Sequence, residues 1–321
     1  MQKKILAILL VLLMAISTMA CSTKLSSLTG GQETDIGASL SDYATDSAEK
    51  PAQSTTDQAT DETPPQVSND NQPAATEVTI AETVLVDQDG IKITAKSMAY
   101  EEYYGPAVKL SVENNSDKNI TVSTDSVCVN GYMISGSMYT QVVAGKKAND
   151  TLRFYADTLK DYGIEQIAQM DIVFSIYDSD SYKTIFTPDE VCLTTSAFGT
   201  YTQSYDDSGD VLYEKDGIRI VYQGSRQDDY YGTTYRLYTE NTSDKPVFVS
   251  MEDVSIDGYM VNALFMVKVP AGRVAVDYLE FSPSELEEND ITEIKDIEFH
   301  FEISDGDTYR TINTSEILTI E

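Results

Sequence analysis

The sequence predicts an all-β fold, two tandem β-sandwich domains behind a long disordered stalk. Three observations carry this. The last two-thirds of the chain is one unit written twice, its apolar residues alternate with a period of two, and the segment ahead of it has few large apolar side chains. A shift of 127 positions lays residues 89–185 on residues 216–312 without a gap, with roughly a third of the positions identical. Asp89-Gly90-Ile91 meets Asp216-Gly217-Ile218, Glu113-Asn114 meets Glu240-Asn241, and Gly131-Tyr132-Met133 meets Gly258-Tyr259-Met260. Solenoid units of about 20–50 residues must stack to share a core, whereas a unit of about 110 residues can bury its own. The two domains are expected over residues 80–196 and 207–321.

Ahead of them, Lys3 and Lys4 precede an apolar run from Ile5 to Ile16 and the small residues before Cys21. That is the charged region, apolar region and cleavage site of a secretory signal over residues 1–20, too short for a transmembrane helix. Ala20-Cys21 is similar to a bacterial lipobox, with Thr18 where Leu is commonest. The resemblance implies that Cys21 is acylated and becomes the new N-terminus, giving a partner in the membrane and a place on the extracellular face of the cell membrane. One acyl chain binds only marginally; the diacylglyceryl group that a lipobox implies meets the need for more than one. Residues 21–79 are rich in Ser, Thr, Asp, Gln and Pro, with Pro51, Pro64, Pro65 and Pro73 scattered through. Such a composition cannot offset the entropy of ordering and predicts a spacer, with a reach on the order of 40–50 Å as a flexible coil.

Within the repeat the strands follow in order. Ile91, Ile93 and Ala95 alternate with Lys92, Thr94 and Lys96, and the second copy keeps Ile218 and Ile220. Val108-Leu110-Val112, Leu152-Phe154 and Ile172-Phe174-Ile176 continue the pattern, the last recurring as Phe299-Phe301-Ile303. Period two marks a strand with one buried face. Asn130-Gly131 and Asp257-Gly258 suit a type I′ hairpin. Asn114 to Lys118 and Asn241 to Lys245 are polar turns. Asp157 to Tyr162 and Ser284 to Asn289 predict one helical turn, capped by the Asp or the Ser. Seven or eight short strands over such a length favour immunoglobulin-like sandwiches. An alternating strand ending in Glu-Asn-x-Ser-Asp-Lys, then a second strand and an Asn/Asp-Gly hairpin, resembles the immunoglobulin-like domains of Gram-positive surface lipoproteins. The resemblance covers about residues 80–195 and 207–321 and implies fold and location, not a ligand. The central Trp and inter-sheet Cys pair of antibody-like domains are missing.

The formal charge is −31, and removal of Lys3 and Lys4 with the signal leaves −33. Nucleic acid is therefore excluded as an ordinary partner, because phosphate backbones need a basic stripe. The single His300 alternates outward between Phe299 and Phe301, with no second His for a metal site or triad. No phosphate loop or His-Glu-x-x-His motif occurs, so no cofactor and no enzyme activity are expected. Paired carboxylates leave a glycan-directed hydrolase as a remote alternative.

Two further expectations concern side chains. Cys128 and Cys192 are an allowed disulfide pair in an exported chain, with small hydroxylated counterparts in Ser255 and Thr319; two free thiols are the alternative. A bridge would lie outside the main core, since Cys128 alternates with Val127 and Val129. Glu101, Glu102, Tyr103 and Tyr104 lie between the second and third strands, and Asp178, Asp180 and Tyr182 between the last two. In an immunoglobulin-like sandwich such loops share one end. The second copy repeats the set as Asp228, Asp229, Tyr230 and Tyr231 with Asp305, Asp307 and Tyr309. Each domain is thus expected to present an acidic, tyrosine-rich tip for an envelope protein, a glycan or a cation, or else solvated turns packed by tyrosines. Asp-x-Asp lacks the remaining ligands of a calcium loop. The readings are an interaction module of unknown ligand and a structural or accessory envelope subunit.

Overall fold

The computed structural model describes residues 78–101 and 104–321. Cys21, the signal, most of the stalk, Glu102 and Tyr103 lie outside the described residues. Among the described residues the first sandwich has eleven strands: β1 (Thr83–Gln88), β2 (Ile91–Glu101), β3 (Gly105–Asn114), β4 (Ile120–Val129), β5 (Tyr132–Ile134), β6 (Gly136–Ser137), β7 (Tyr139–Val142), β8 (Lys146–Phe154), β9 (Gln169–Asp178), β10 (Thr184–Phe186) and β11 (Val191–Thr194). A short helix α1 (Ala156–Asp161) follows β8. The second sandwich repeats the order: β12 (Asp210–Lys215), β13 (Ile218–Asp228), β14 (Gly232–Asn241), β15 (Val247–Ile256), β16 (Tyr259–Met260), β17 (Ala263–Leu264), β18 (Met266–Val269), β19 (Arg273–Phe281), α2 (Pro283–Glu288), β20 (Ile297–Asp305), β21 (Thr311–Thr314) and β22 (Leu318–Ile320). The count exceeds the seven or eight expected because residues 132–142 and 259–269 break into three short strands each, too short to show alternation. The helices start at Tyr155 and Ser282 as N-caps, neither with a side-chain cap bond, so the predicted Asp and Ser caps lie inside the first turn.

In the first sandwich the sheet β1-β2-β3-β8-β6 faces a sheet built on β4 and β9. The second sandwich pairs β12-β13-β14-β19 with β15 and β20 in the same way. The alternating residues read from the sequence fill the space between: Ile91, Ile93, Leu110, Val112, Phe154, Phe174 and Ile176 are buried in one core, Ile220, Leu237, Phe299, Phe301 and Ile303 in the other. Burial of such side chains contributes about 1.5–3 kcal/mol each.

Both Asn/Asp-Gly dipeptides form the expected tight hairpins, with φ of 49° and 91° at Asn130-Gly131 and 50° and 84° at Asp257-Gly258. The Glu-Asn-x-Ser-Asp-Lys motif has a definite job. At its Asn the chain leaves one sheet for the other, and a sheet change strands backbone groups that no ladder satisfies. Asn114 is fully buried; its amide donates to the carbonyls of Lys118 and Val142 at 2.8 and 2.9 Å and its oxygen accepts the amide and hydroxyl of Ser116. Asn241 repeats every bond with Lys245, Val269 and Ser243.

Removing this plug leaves two carbonyls and an amide without their partner inside the fold, each costing about 1–3 kcal/mol. Asn241→Ala is expected to destabilise the second sandwich by about 3 kcal/mol or more in urea unfolding. A loss below about 0.5 kcal/mol, the range of an ordinary surface change, would contradict this role.

Candidate functional site

The acidic, tyrosine-rich segments do not converge. In the first sandwich β2 and β3 are a hairpin within one sheet, Glu101 opposite Gly105. The change of sheet comes one connection later, between Asn114 and Ile120. Because Ile120 pairs with Asp178, the tip at residues 178–182 sits beside that crossing, with the Ser179 amide on the Asn119 carbonyl and Lys118 3.6 Å from Asp178. Strand β3 separates it from Glu101 and Tyr104, and its 10 residues span about 33 Å. The second sandwich divides its set identically: Asp228, Asp229, Tyr230 and Tyr231 occupy one end, while Asp305, Asp307 and Tyr309 lie at the other, against Pro246 and Phe248. The expectation of one shared tip fails because the β2–β3 connection stays within its sheet.

Three of the tip acids serve their own turns. Asp178 accepts the Ser181 and Asp180 amides, and these bonds hold its carboxyl below the usual range. Asp228 does the same with the Tyr231 and Tyr230 amides, and Asp305 with the hydroxyl and amide of Thr308. Glu101 is held by Lys109 and Arg153, each at 2.7 Å. Asp180 lies 3.4 Å from the Asn119 amide, and Asp307 3.7 Å from Lys268. Tyr104 meets Tyr155 edge-on under the Arg153 guanidinium. The rings of Tyr182, Tyr230 and Tyr309 are the outward ones, 76, 72 and 60% exposed. Tyr231 turns inward from Tyr230, beside a shallow hollow of 460 Å³ lined by Tyr222, Gln227, Thr233, Tyr235, Leu286 and Ile291. No group of three or more His, Cys, Asp and Glu side chains among the described residues is gathered to hold a metal ion. His300 is half-buried, 3.7 Å from Asp253.

Cys128 and Cys192 are free thiols, not a disulfide. Both are in register with Asp171, Cys128 from β4 and Cys192 from β11, so strand β9 runs between them. Two strand spacings are about 9–10 Å, beyond the roughly 7 Å a bridge can span. Burial pushes the Cys128 thiol up to about 12 and the Cys192 thiol up to about 11, which leaves both as poor nucleophiles.

The most elaborate polar arrangement joins the two sandwiches. Strand β5, at the edge of the first, pairs in parallel with β19 of the second, Tyr132 with Val274 and Met133 with Ala275. The Val274 amide donates to the Gly131 carbonyl at 2.9 Å, and the sheets become one of eleven strands. The outer face of the second sandwich turns apolar there: Val221, Tyr238, Val274 and Val276 are buried in the first sandwich's cluster. Tyr132 lies under Tyr162 and Tyr205, at centroid separations of 5.4 and 5.1 Å. The Tyr162 hydroxyl donates to the Val276 carbonyl and the Tyr205 hydroxyl to the Asn130 carbonyl. Around the rim, Asp161 accepts the Tyr278 hydroxyl at 2.6 Å and faces Arg236 and Arg226 at 3.4 and 3.9 Å. Arg226 lies 3.8 Å over the Tyr278 ring, and Arg273 reaches the buried Asp171 at 2.9 Å and Glu190 at 3.3 Å. The chain organisation read from the sequence did not single out these residues. Their trace is there at the 127-residue shift, where outward positions are polar in the first copy (Thr94, Ser111, Asn149) and apolar or aromatic in the second (Val221, Tyr238, Val276).

No family model matches this chain, and no curated protein does either. Among solved structures it is similar to the Salmonella enterica SafA pilin in complex with the SafB chaperone, at 14% identity over 73% of this chain and 97% of that one, with a TM-score of 0.21. It is also similar to red sea bream transglutaminase, at 8% identity over 75% of this chain and 31% of that one, with a TM-score of 0.20. Superpositions this poor carry no argument about what the chain does.

Between Val276 and Tyr278 of the seam, Asp277 pairs with Leu237 on the other face of β19, turned towards the second sandwich's own interior. Its first-copy counterpart Asp150 accepts the Thr140 hydroxyl, but Val267 occupies the place of Thr140 in the second copy. Burial raises the Asp277 carboxyl, against the Tyr278 amide that it accepts. A raised carboxyl penalises the fold above its folded pKa, and the penalty fades as pH falls through that value towards the unfolded one of about 3.9. Asp277→Asn is therefore expected to stabilise the protein at pH 7, with the gain shrinking to nothing near pH 4. A gain that is constant with pH, or a loss at pH 7, would contradict the assignment.

Proposed function

We propose that this chain is an extracellular, lipid-anchored protein that works by binding, and that the second sandwich carries the contact surface. The observation that carries the reading is the outward Tyr230 beside the tyrosine-lined hollow, on a sandwich that the seam holds as one body with its neighbour. Tyrosine offers rigid contact area at low entropy cost, with a hydroxyl for polar contact. Gln227, Thr233 and Tyr222 add hydrogen-bonding groups at the rim, a mixture that suits a protein segment or the face of a sugar ring. The split of the acids between the two ends, and the use of Asp178, Asp228 and Asp305 inside turns, argues against a cation as ligand. Support for the anchor is the signal, the Ala20-Cys21 order and the spacer composition, which together resemble Gram-positive surface lipoproteins. Non-enzymatic action is part of the proposal, motivated by turn and ion-pair roles for the carboxylates that chemistry would need. A second reading, a structural subunit of an envelope assembly, is favoured by the seam itself, since locking two domains together suits a strut.

Two arms of one experiment test the proposal. Cys21→Ala is expected to move the protein from the membrane fraction to the medium, or to leave an uncleaved precursor; processed mutant still on membranes would refute the anchor. Tyr230→Ala/Tyr231→Ala is expected to abolish capture of wall glycans or envelope proteins from intact cells by crosslinking, with unfolding unchanged. If the double variant captures the same partners as wild type, the strut reading replaces the binding one.

A further inference from the structure

The seam uses surfaces that the duplication supplies twice, and only one set is consumed. On the first sandwich, Gly131-Tyr132-Met133 lies against β19 and Tyr132 is 1% exposed. On the second, the same tripeptide recurs as Gly258-Tyr259-Met260. Strand β16 pairs only with β15 among the described residues and ends its sheet. There Tyr259 and Met260 are 53 and 64% exposed. A strand edge carrying exposed apolar side chains is a template for another strand. The complementary surface also recurs. Strand β8, the counterpart of β19, pairs with β3 on one side, and on the other only Arg153 and Phe154 are taken, by β6. Among the described residues, its stretch from Lys146 to Asn149 is therefore open on that edge.

The geometry points to a second copy of this chain as the occupant: the β16 edge of one molecule accepts the β8 edge of another, head to tail. Transferring the seam by 127 positions fixes the register. Tyr259 lies opposite Lys147 and Met260 opposite Ala148, and the Lys147 amide donates to the Gly258 carbonyl as Val274 does to Gly131. The charges at the rim keep their signs. Arg273 with Asp171 becomes Lys146 with Glu298, both exposed here, and Arg236 with Asp161 becomes Lys109 with Glu288. Lys109 is held by Glu101 in the isolated chain and would be shared. The apolar part of the seam is not transferred, since Thr94, Ser111 and Asn149 replace Val221, Tyr238 and Val276. The contact between molecules is accordingly weaker than the one within a molecule and leans on backbone pairing and ion pairs, which salt screens. Heterologous contacts of this kind leave one edge of each kind free in a dimer, so they add further copies in rows or rings.

The test uses full-length chain with Cys21→Ser and Cys192→Ser, which leaves only the buried Cys128. Ala148→Cys and Met260→Cys are introduced into separate molecules, mixed and oxidised. The expected result is a mixed dimer in about tenfold excess over either homodimer, lost in high salt. In sedimentation velocity, Glu298→Lys is expected to weaken association about tenfold, and mixing it with Lys146→Glu to restore it, because each variant retains a complementary pair with the other. Equal homodimer and mixed-dimer yields, or monomer at every concentration and salt, would overturn the inference. So would a Met260→Cys thiol protected by residues 22–77 of its own chain, which would make the stalk the occupant.

Discussion

Everything above the level of a single sandwich depends on the parallel pairing of Tyr132-Met133 with Val274-Ala275. Two residue pairs of backbone ladder would hold little by themselves, because a short two-strand contact is marginal in water. What secures the pairing is the apolar outer face of the second sandwich, where Val221, Tyr238, Val274 and Val276 are covered by the end of the first. Their burial removes water from the ladder, and in that setting the Arg273–Asp171 pair and the Tyr162 hydroxyl find short, unscreened partners. Gly131 is required at this point: its φ of 91° lies in the left-handed region, and a side chain there would run into the Tyr205 hydroxyl.

The seam also explains how two copies of one unit have diverged. Most inward-facing positions have kept their apolar character, as Ile93 and Ile220 or Phe174 and Phe301 do, since each core has to be filled to the same density, although Val112 becomes the buried Thr239. The buried polar plugs Asn114 and Asn241 are kept because the arch demands them. Outward positions follow what covers them. Lys109 pairs with a neighbour's carboxylate on an open sheet face; its counterpart Arg236 spans the seam to Asp161. Arginine suits the second place because its planar group can serve Asp161, the Gln223 side chain and the Tyr162 ring together.

The parts of this architecture that are local in the chain were legible in the sequence. The pair Ile91 and Ile93, the alternation of Ile172, Phe174 and Ile176, and the Asn130-Gly131 hairpin are set by neighbours one or two residues away, and the structure places them as their pattern implies. The Asn of the Glu-Asn-x-Ser-Asp-Lys motif was visible as a turn but not as a buried plug, because its partners Val142 and Val269 are 28 residues distant. Misplacing Asp178 and Tyr182 beside Tyr104 came from not knowing at which connection the chain changes sheet, a property of strand pairing that alternation cannot report. The disulfide failed for the same reason: Cys128 and Cys192 are neighbours of one residue, Asp171, on its opposite sides. The seam was half legible, as a set of outward positions that are apolar in one copy only.

The central claim is that buried outer-face residues of the second sandwich couple the two into one cooperative body. Equilibrium urea unfolding, followed by both far-ultraviolet circular dichroism and tyrosine fluorescence, tests it most directly. Wild type is expected to unfold in a single coincident transition. Grafting the first copy's residues, Val221→Thr, Tyr238→Ser and Val276→Asn together, is expected to split that transition in two while leaving each sandwich folded. Two separate transitions in wild type, or a grafted chain that still unfolds as one, would contradict the account.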